Sequence, residues 1–152
     1  MRIREARAED EDFIVALVPR FVENGVAGGH TRDDVIEGTA RVLREALRAR
    51  RPDEAFFVAD DEHGDPAGFA YVVCERDFFT GEEYAHVSEI AVARSGGGAG
   101  GALMEAAEAW SRSRGHRLMT LNVVETNVDA ARFYARRGFA IAHHHYAKRF
   151  RA

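Results

Sequence analysis

The stretch Ile90-Ala91-Val92-Ala93-Arg94-Ser95-Gly96-Gly97-Gly98-Ala99-Gly100-Gly101-Ala102-Leu103-Met104 decides how this chain folds. The apolar segment from Tyr84 to Val92 runs into a glycine-rich turn. That turn opens into the helical pattern Leu103-Met104-Glu105-Ala106-Ala107-Glu108-Ala109-Trp110. Glycines between a strand and a helix let the backbone approach a ligand closely and adopt positive φ. The unpaired amides of the helix start then face outward, with the positive end of the helix dipole behind them. Such an arrangement binds phosphate or pyrophosphate. Taken alone, the turn reads equally well as a flexible loop.

Working outward, Arg2 to Ala6 reads as a short strand. A helix follows from about Glu9 to Val22, with Phe13, Leu17 and Phe21 at helical spacing. After a glycine-rich loop, Asn24 to His30, Thr31 and Asp34 form a capping box for a second helix reaching about Arg50. Val35, Val42, Leu43 and Leu47 give that helix its apolar stripe, and Pro52 stops it. Strands are expected over Ala55–Ala59, Ala67–Arg76 and Tyr84–Val92, with turns at Asp60–Pro66 and Phe78–Gly81. The helix after the glycines ends near Arg114, with Gly115 beyond it. Then come a strand over Leu118–Val124, a helix over roughly Val128–Arg137 closed by Gly138, and two short strands, Phe139–Ala142 and Tyr146–Phe150. The order β-α-α-β-β-β-α-β-α-β-β predicts an α/β domain with a mixed sheet, spanning residues 1–152 as one unit.

At 152 residues the chain is large enough to bury a substantial core. A net charge of −4 offers no general attraction to nucleic acid or to an anionic membrane. Lys148 is the only lysine, a composition bias rather than a recognition device. No apolar run has transmembrane length and the N-terminus lacks a signal-peptide pattern, so a cytoplasmic location is expected. Cys74, the single cysteine, reads as a small buried side chain with no activating histidine nearby in sequence.

A second block, Thr120-Leu121-Asn122-Val123-Val124-Glu125-Thr126-Asn127-Val128-Asp129-Ala130-Ala131-Arg132-Phe133-Tyr134-Ala135-Arg136-Arg137-Gly138-Phe139, makes the reading specific. A strand, then Asn-x-x-Ala-x-x-Phe-Tyr, then Gly-Phe resembles the C-terminal signature of the GNAT superfamily of acyl-CoA-dependent N-acetyltransferases. The glycine turn after Ile90-Ala91-Val92 resembles that family's pyrophosphate-binding motif, and the element order matches over essentially the whole chain. The resemblance implies the GNAT acyltransferase fold, acetyl-CoA as co-substrate, and transfer of an acetyl group to a primary amine without a metal.

It also implies roles for particular positions. Ile90, Ala91 and Val92 match the strand segment that pairs with the pantetheine arm, with one amide polarising the thioester carbonyl. Gly96, Gly97, Gly98, Ala99, Gly100 and Gly101 match the pyrophosphate cradle. Asn127 matches the asparagine contacting the coenzyme near the pantetheine, and Tyr134 the tyrosine near its sulfur. The turn departs from the family pattern: Ser95 stands where the family carries Arg or Gln, and the approach from Val92 is shorter. Arg94 can move in to replace that side chain, or backbone amides can carry the binding alone.

The chemistry calls for further groups. An alkyl ammonium must lose a proton before it can attack a thioester. Glu89, beside Ile90, is the candidate base or water-positioning group, with Glu83 and Glu82 as weaker ones. Each assignment has a plainer competitor. Glu89 reads also as a solvated or salt-bridged strand residue, and Tyr134 as a core aromatic. Asn127 can cap the last helix, a task open to Thr126 as well. His143-His144-His145 does not read as a metal site, because adjacent strand residues point to opposite faces. His30 reads as a surface or pocket residue, and His86 shares a strand face with Ser88 and Ile90.

Two other classes compete with the enzyme. One is a non-catalytic acyl-CoA sensor or partner-binding domain. The other is a dinucleotide-binding domain, disfavoured because no complete β-α-β half follows the late glycine turn. The acceptor side, expected from the first two helices, the Asn24–His30 and Phe78–Tyr84 segments and the C-terminal strands, holds both acidic and aromatic residues. Apolar strand edges that pair across a two-fold axis lead to the expectation of a homodimer.

Overall fold

The computed structural model describes residues 1–151. In chain order its elements are β1 (Arg2–Glu5), α1 (Glu11–Leu17), α2 (Arg32–Ala49), β2 (Glu54–Asp60), β3 (Pro66–Arg76), β4 (Glu83–Val92), α3 (Ala99–Ser113), β5 (Met119–Leu121) and α4 (Val128–Arg136). The strands form one five-stranded sheet in sequential order. β1 to β4 pair antiparallel and β5 joins β4 in parallel, so the sheet is mixed as expected.

Local chemistry explains most boundaries. The Thr31 side chain accepts from the Asp34 amide and the Asp34 carboxylate accepts from the Thr31 amide, which starts α2. Gly115 and Gly138 take positive φ just beyond α3 and α4. The expected helix over Glu9–Val22 is divided, because Pro19 has no N–H for the helical ladder. A 3-10 turn, Val18–Val22, therefore follows α1. The buried face of α2 is Ala40, Leu43, Ala46 and Leu47, whereas Val42 is 44 % exposed and lies off the stripe.

α1 and α2 cover one face of the sheet, burying Ile14, Val18, Leu43 and Phe69. On the other face α3 and α4 pack Met104, Ala107, Phe133 and Tyr134 against Val72 and Val87. At the first strand, Arg4 donates from both terminal nitrogens to the Asp10 carboxylate at 2.8 and 2.9 Å, and from Nε to Asp60 at 2.8 Å. Both carboxylates are buried, so this network ties the entry of α1 to β1 and β2.

Two expectations are corrected. Phe139–Ala142 and Tyr146–Phe150 are not strands, and Ile141, Tyr146 and Phe150 stay exposed. β5 runs over Met119–Leu121 only, shorter than the expected Leu118–Val124, and pairs with β4 at Ala85, His86 and Val87 alone. So short an edge is a poor template for further strands, and local alternation cannot supply a partner. The second correction is a bulge in β4. Val72 faces Val87 and Tyr71 faces Glu89, which leaves Ser88 unpaired. Val87 and Glu89 consequently lie on opposite faces. His86 shares the α1/α2 side with Glu89 and Ala91, not with Ile90.

Candidate active site

Beyond the Val87–Leu121 pair the two parallel strands part, because β5 ends while β4 continues to Val92. The Ala93 N–H donates to the Ala67 carbonyl at 2.8 Å. Antiparallel alternation then turns the N–H and C=O of Ala91 toward β3, and those of Ile90 and Val92 toward the gap. Of the expected strand segment Ile90-Ala91-Val92, the outer two residues thus offer free backbone groups at an open edge.

The glycines that follow have separate tasks. Gly96 and Gly98 hold φ of +83° and +82°, with open space where a Cβ would project. They are needed for backbone conformation. Gly98 is the N-cap of α3 and no side chain caps the helix, so the first-turn amides at Ala99, Gly100 and Gly101 have no intrahelical acceptor. A Cβ on Gly100 would sit 3.7 Å from Val92 and 3.8 Å from Phe133, and one on Gly101 would sit 3.8 Å from Arg137 Nη1. These are ordinary packing distances, so α4 lies against the start of α3 without requiring glycine at either position. Arg94, Ser95 and Gly97 are exposed on the turn. Arg20, which the sequence did not single out, donates from Nη1 to the Ala93 carbonyl at 2.6 Å and pins the entry to the turn.

Glu89 faces the α1/α2 side of the sheet opposite Tyr71. Burial, with no compensating partner, raises its carboxyl from 4.5 to about 7. Tyr134 packs on the other side among Phe133 and Phe139, with ring centroids at 5.2 and 5.7 Å, and burial raises its phenol to about 12. The two groups therefore flank the parting strands from opposite faces. Asn127 caps α4, its Oδ1 accepting from the Ala130 amide at 3.2 Å. Thr126 does not share that task. Its hydroxyl donates to the Asn24 carbonyl, strapping the loop after the first helices onto the approach to α4. The strap needs Gly25, at φ +125°, because a Cβ there would collide with the Thr126 side chain.

Other candidates lie elsewhere. His86 Nδ1 is 2.7 Å from Thr120 Oγ1, a bond that closes the last paired stretch before the gap. His30 is exposed, and His143, His144 and His145 lie in the exposed terminal segment. Glu82 and Glu83 sit at the far end of β4 from the turn. Cys74 has no histidine near it in sequence, but the fold brings one to it: His116 Nε2 lies 3.5 Å from its sulfur. The fold makes this contact across 42 residues of sequence. It lies beside Ala85, away from the glycine turn, and burial raises the thiol further.

A family model, Acetyltransferase (GNAT) family, matches residues 23–139. The chain belongs to this family. It is accordingly an acyltransferase, of a family that uses acetyl-CoA. Solved structures share the fold over nearly the whole GNAT chain. A candidate acetyl transferase of Pyrococcus furiosus is 24% identical, with a TM-score of 0.74 over 98% of this chain and 100% of that one. The ribosomal-protein-alanine N-acetyltransferase of Brucella melitensis biovar Abortus 2308 is 18% identical, with a TM-score of 0.70 over 99% and 100%. Aminoglycoside N-acetyltransferase AAC(6')-Iy, solved in complex with CoA, is 20% identical, with a TM-score of 0.70 over 99% and 95%. No curated protein matches the chain by sequence. Among the described residues no helix is long and apolar enough to cross a membrane.

Proposed function

We propose that this protein is an N-acetyltransferase that moves the acetyl group of acetyl-CoA onto a primary amine of a small molecule or peptide, by direct attack through a tetrahedral intermediate. The observation that carries this reading is the gap where β4 runs on to Val92 past the end of β5, which leaves backbone groups free beside Glu89, a half-buried carboxyl that desolvation pushes up to about 7. A carboxylate titrating near neutrality is suited to take a proton from an ammonium, directly or through water.

Acetyl-CoA enters as substrate and supplies the thioester carbonyl. Ile90 and Val92 offer their free backbone groups to the pantetheine arm, and an amide of this edge polarises the carbonyl. Ala91, bonded to β3, keeps that edge straight. The turn Arg94–Gly101 receives the pyrophosphate on backbone amides. Asn127, its oxygen used in capping, has its amide N–H2 left for the pantetheine.

Glu89 takes the proton from the amine, the N–C bond forms, and the C–S bond breaks with its electron pair on sulfur. A phenol held at about 12 is a weaker acid than an alkyl thiol of about 8.5. Tyr134 therefore stabilises the departing sulfur by a hydrogen bond and keeps its proton. The sulfur draws its own proton from nitrogen by way of Glu89 and water.

The test is calorimetry with acetyl-CoA and a thiol-release screen over chemically varied amines, with Glu89→Gln and Tyr134→Phe alongside. Binding, turnover and loss of turnover in both variants support the proposal; neither binding nor thiol release with any amine overturns it. The proposal includes a cytoplasmic homodimer using no metal, nucleic acid or membrane, in keeping with the net charge of −4. A monomer by light scattering at micromolar concentration would remove the dimer from it.

A further inference from the structure

The hairpin between β3 and β4 overhangs the sheet. Glu54, where β2 begins, faces Val73, and beyond Val73 β3 runs on to Arg76 paired with β4 alone. At the tip Phe78 is 92% exposed and Phe79 90%, and neither joins a core cluster. The tip is nevertheless firmly held. Asp77 Oδ1 accepts from the Phe79 and Thr80 amides at 2.9 and 2.8 Å, and the Asp77 amide donates to the Glu82 carbonyl at 2.8 Å. Arg76 donates to the Gly81 carbonyl at 2.6 Å, and the two rings meet edge to face at 5.3 Å. A fixed turn that keeps two large apolar rings in water is suited to anchoring a partner. Four carboxylates flank the rings in sequence, Glu75, Asp77, Glu82 and Glu83, against one arginine, Arg76.

A receptor of opposite charge lies at the same end of the molecule. α2 runs out at Ala49 and the chain re-enters the sheet at Glu54, beside the root of the hairpin. The last turns of α2 carry an open groove of about 480 Å³ lined by Arg41, Arg44, Glu45, Arg48 and Ala49. Its wall is mostly apolar, because arginine stems form it, so it can take a phenyl ring while the guanidiniums meet carboxylates. Arg44 and Arg48 have one carboxylate between them, Glu11 at 3.5 Å from each, and Glu45 is taken by Arg51 at 3.0 Å. The groove therefore keeps a positive excess on a chain whose net charge is −4. We propose that the β3–β4 hairpin is a dimerisation arm that seats Phe78 and Phe79 in the α2 groove of a second copy. With arm and groove at one end, a two-fold axis there makes the contact reciprocal and closes the assembly at two copies. Aromatic side chains bury about 150–250 Å² each, so four rings and the surface they cover bury on the order of 1,200–2,000 Å², the size of a stable interface. The glycine turn lies at the other end of β4 and stays open. The inference rests on the homodimer reading and names its contact surface.

The experiment is sedimentation of the full chain across the micromolar range, comparing wild type with Phe78→Ser/Phe79→Ser in the arm and Arg41→Glu/Arg48→Glu in the groove. All four positions are exposed, and thermal melts check that each variant keeps the fold. Either pair of substitutions should weaken dimerisation by about a hundredfold or more. A cross-link reads the contact itself. In a Cys74→Ser background, Thr80→Cys and Ala49→Cys chains mixed under air oxidation should join to each other in preference to themselves. A wild-type monomer removes the homodimer reading and this inference with it. A wild-type dimer that keeps its affinity in either variant overturns this inference alone, as does cross-linking of Thr80→Cys chains chiefly to themselves, which would mean tip-to-tip contact.

Discussion

Glu89→Gln should stabilise the protein while abolishing its turnover, and the stabilisation should depend on pH in a defined direction. Raising a carboxyl from 4.5 to about 7 by burial corresponds to about 3 kcal/mol of folding free energy withheld once the group is ionised. Between those two values the folded state binds more protons than the unfolded one. Wild-type stability therefore falls as pH rises through that window and levels off above it. Glutamine carries no charge there. The variant's advantage should be largest at pH 8, up to roughly 6–12 °C in melting temperature, and should close toward pH 4.5. Turnover runs the other way, with wild-type kcat/KM rising with pH around an apparent pKa of about 7. Thermal melts of both proteins across pH 5 to 8, paired with thiol-release rates, measure both limbs. A stability difference that stays flat over this range would refute the reasoning, because it would mean that Glu89 is solvated.

Gly98→Ala meets open space but must hold φ +82°, so it should cost about 1–2 kcal/mol and weaken acetyl-CoA binding by misaiming the first amides of α3; melting and calorimetry read the two effects. Asp10→Asn should cost about 3 kcal/mol in urea unfolding, because it leaves Arg4 short of a buried counter-charge. The Arg4 hydrogen bonds hold Asp10 below its usual 3.8, so its contribution is present above that value and lost as pH falls through the lower folded one. The Asn variant should accordingly lose less stability than wild type between neutral and acid pH; equal losses would count against the network.

The features legible in the sequence are those with a local cause. The capping box at Thr31 and Asp34, the left-handed closures at Gly115 and Gly138, and the open turn around Gly96 and Gly98 are each set by residues a few positions apart. So is the helix start at Asn127. What was not legible depends on partners distant along the chain. Nothing near Ser88 announces a bulge, which appears only when β4 is laid against β3. The meeting of His116 with Cys74, the reach of Arg20 to Ala93 and the approach of Arg137 to Gly101 depend on the packed layers. The closing strands were read from alternation alone. They fail because alternation describes a face, and a strand also needs a neighbouring edge of adequate length.

The bulge at Ser88 acts as a phase shift in an otherwise two-fold repeat. Drawing Ser88 into the ladder would bring Glu89 into step with Val87 and carry it through the sheet to the α3 side, while Ile90 moved to the α1 side. Deleting Ser88 would instead leave a regular ladder with Val87 and Glu89 still on opposite faces. The stretch from Glu89 to Val92 should therefore keep its faces when Ser88 is removed, but lose them when one residue is inserted after Ser88 without a second bulge. The surface turn at Asp61–Asp65, which sets no face, should accept insertions freely.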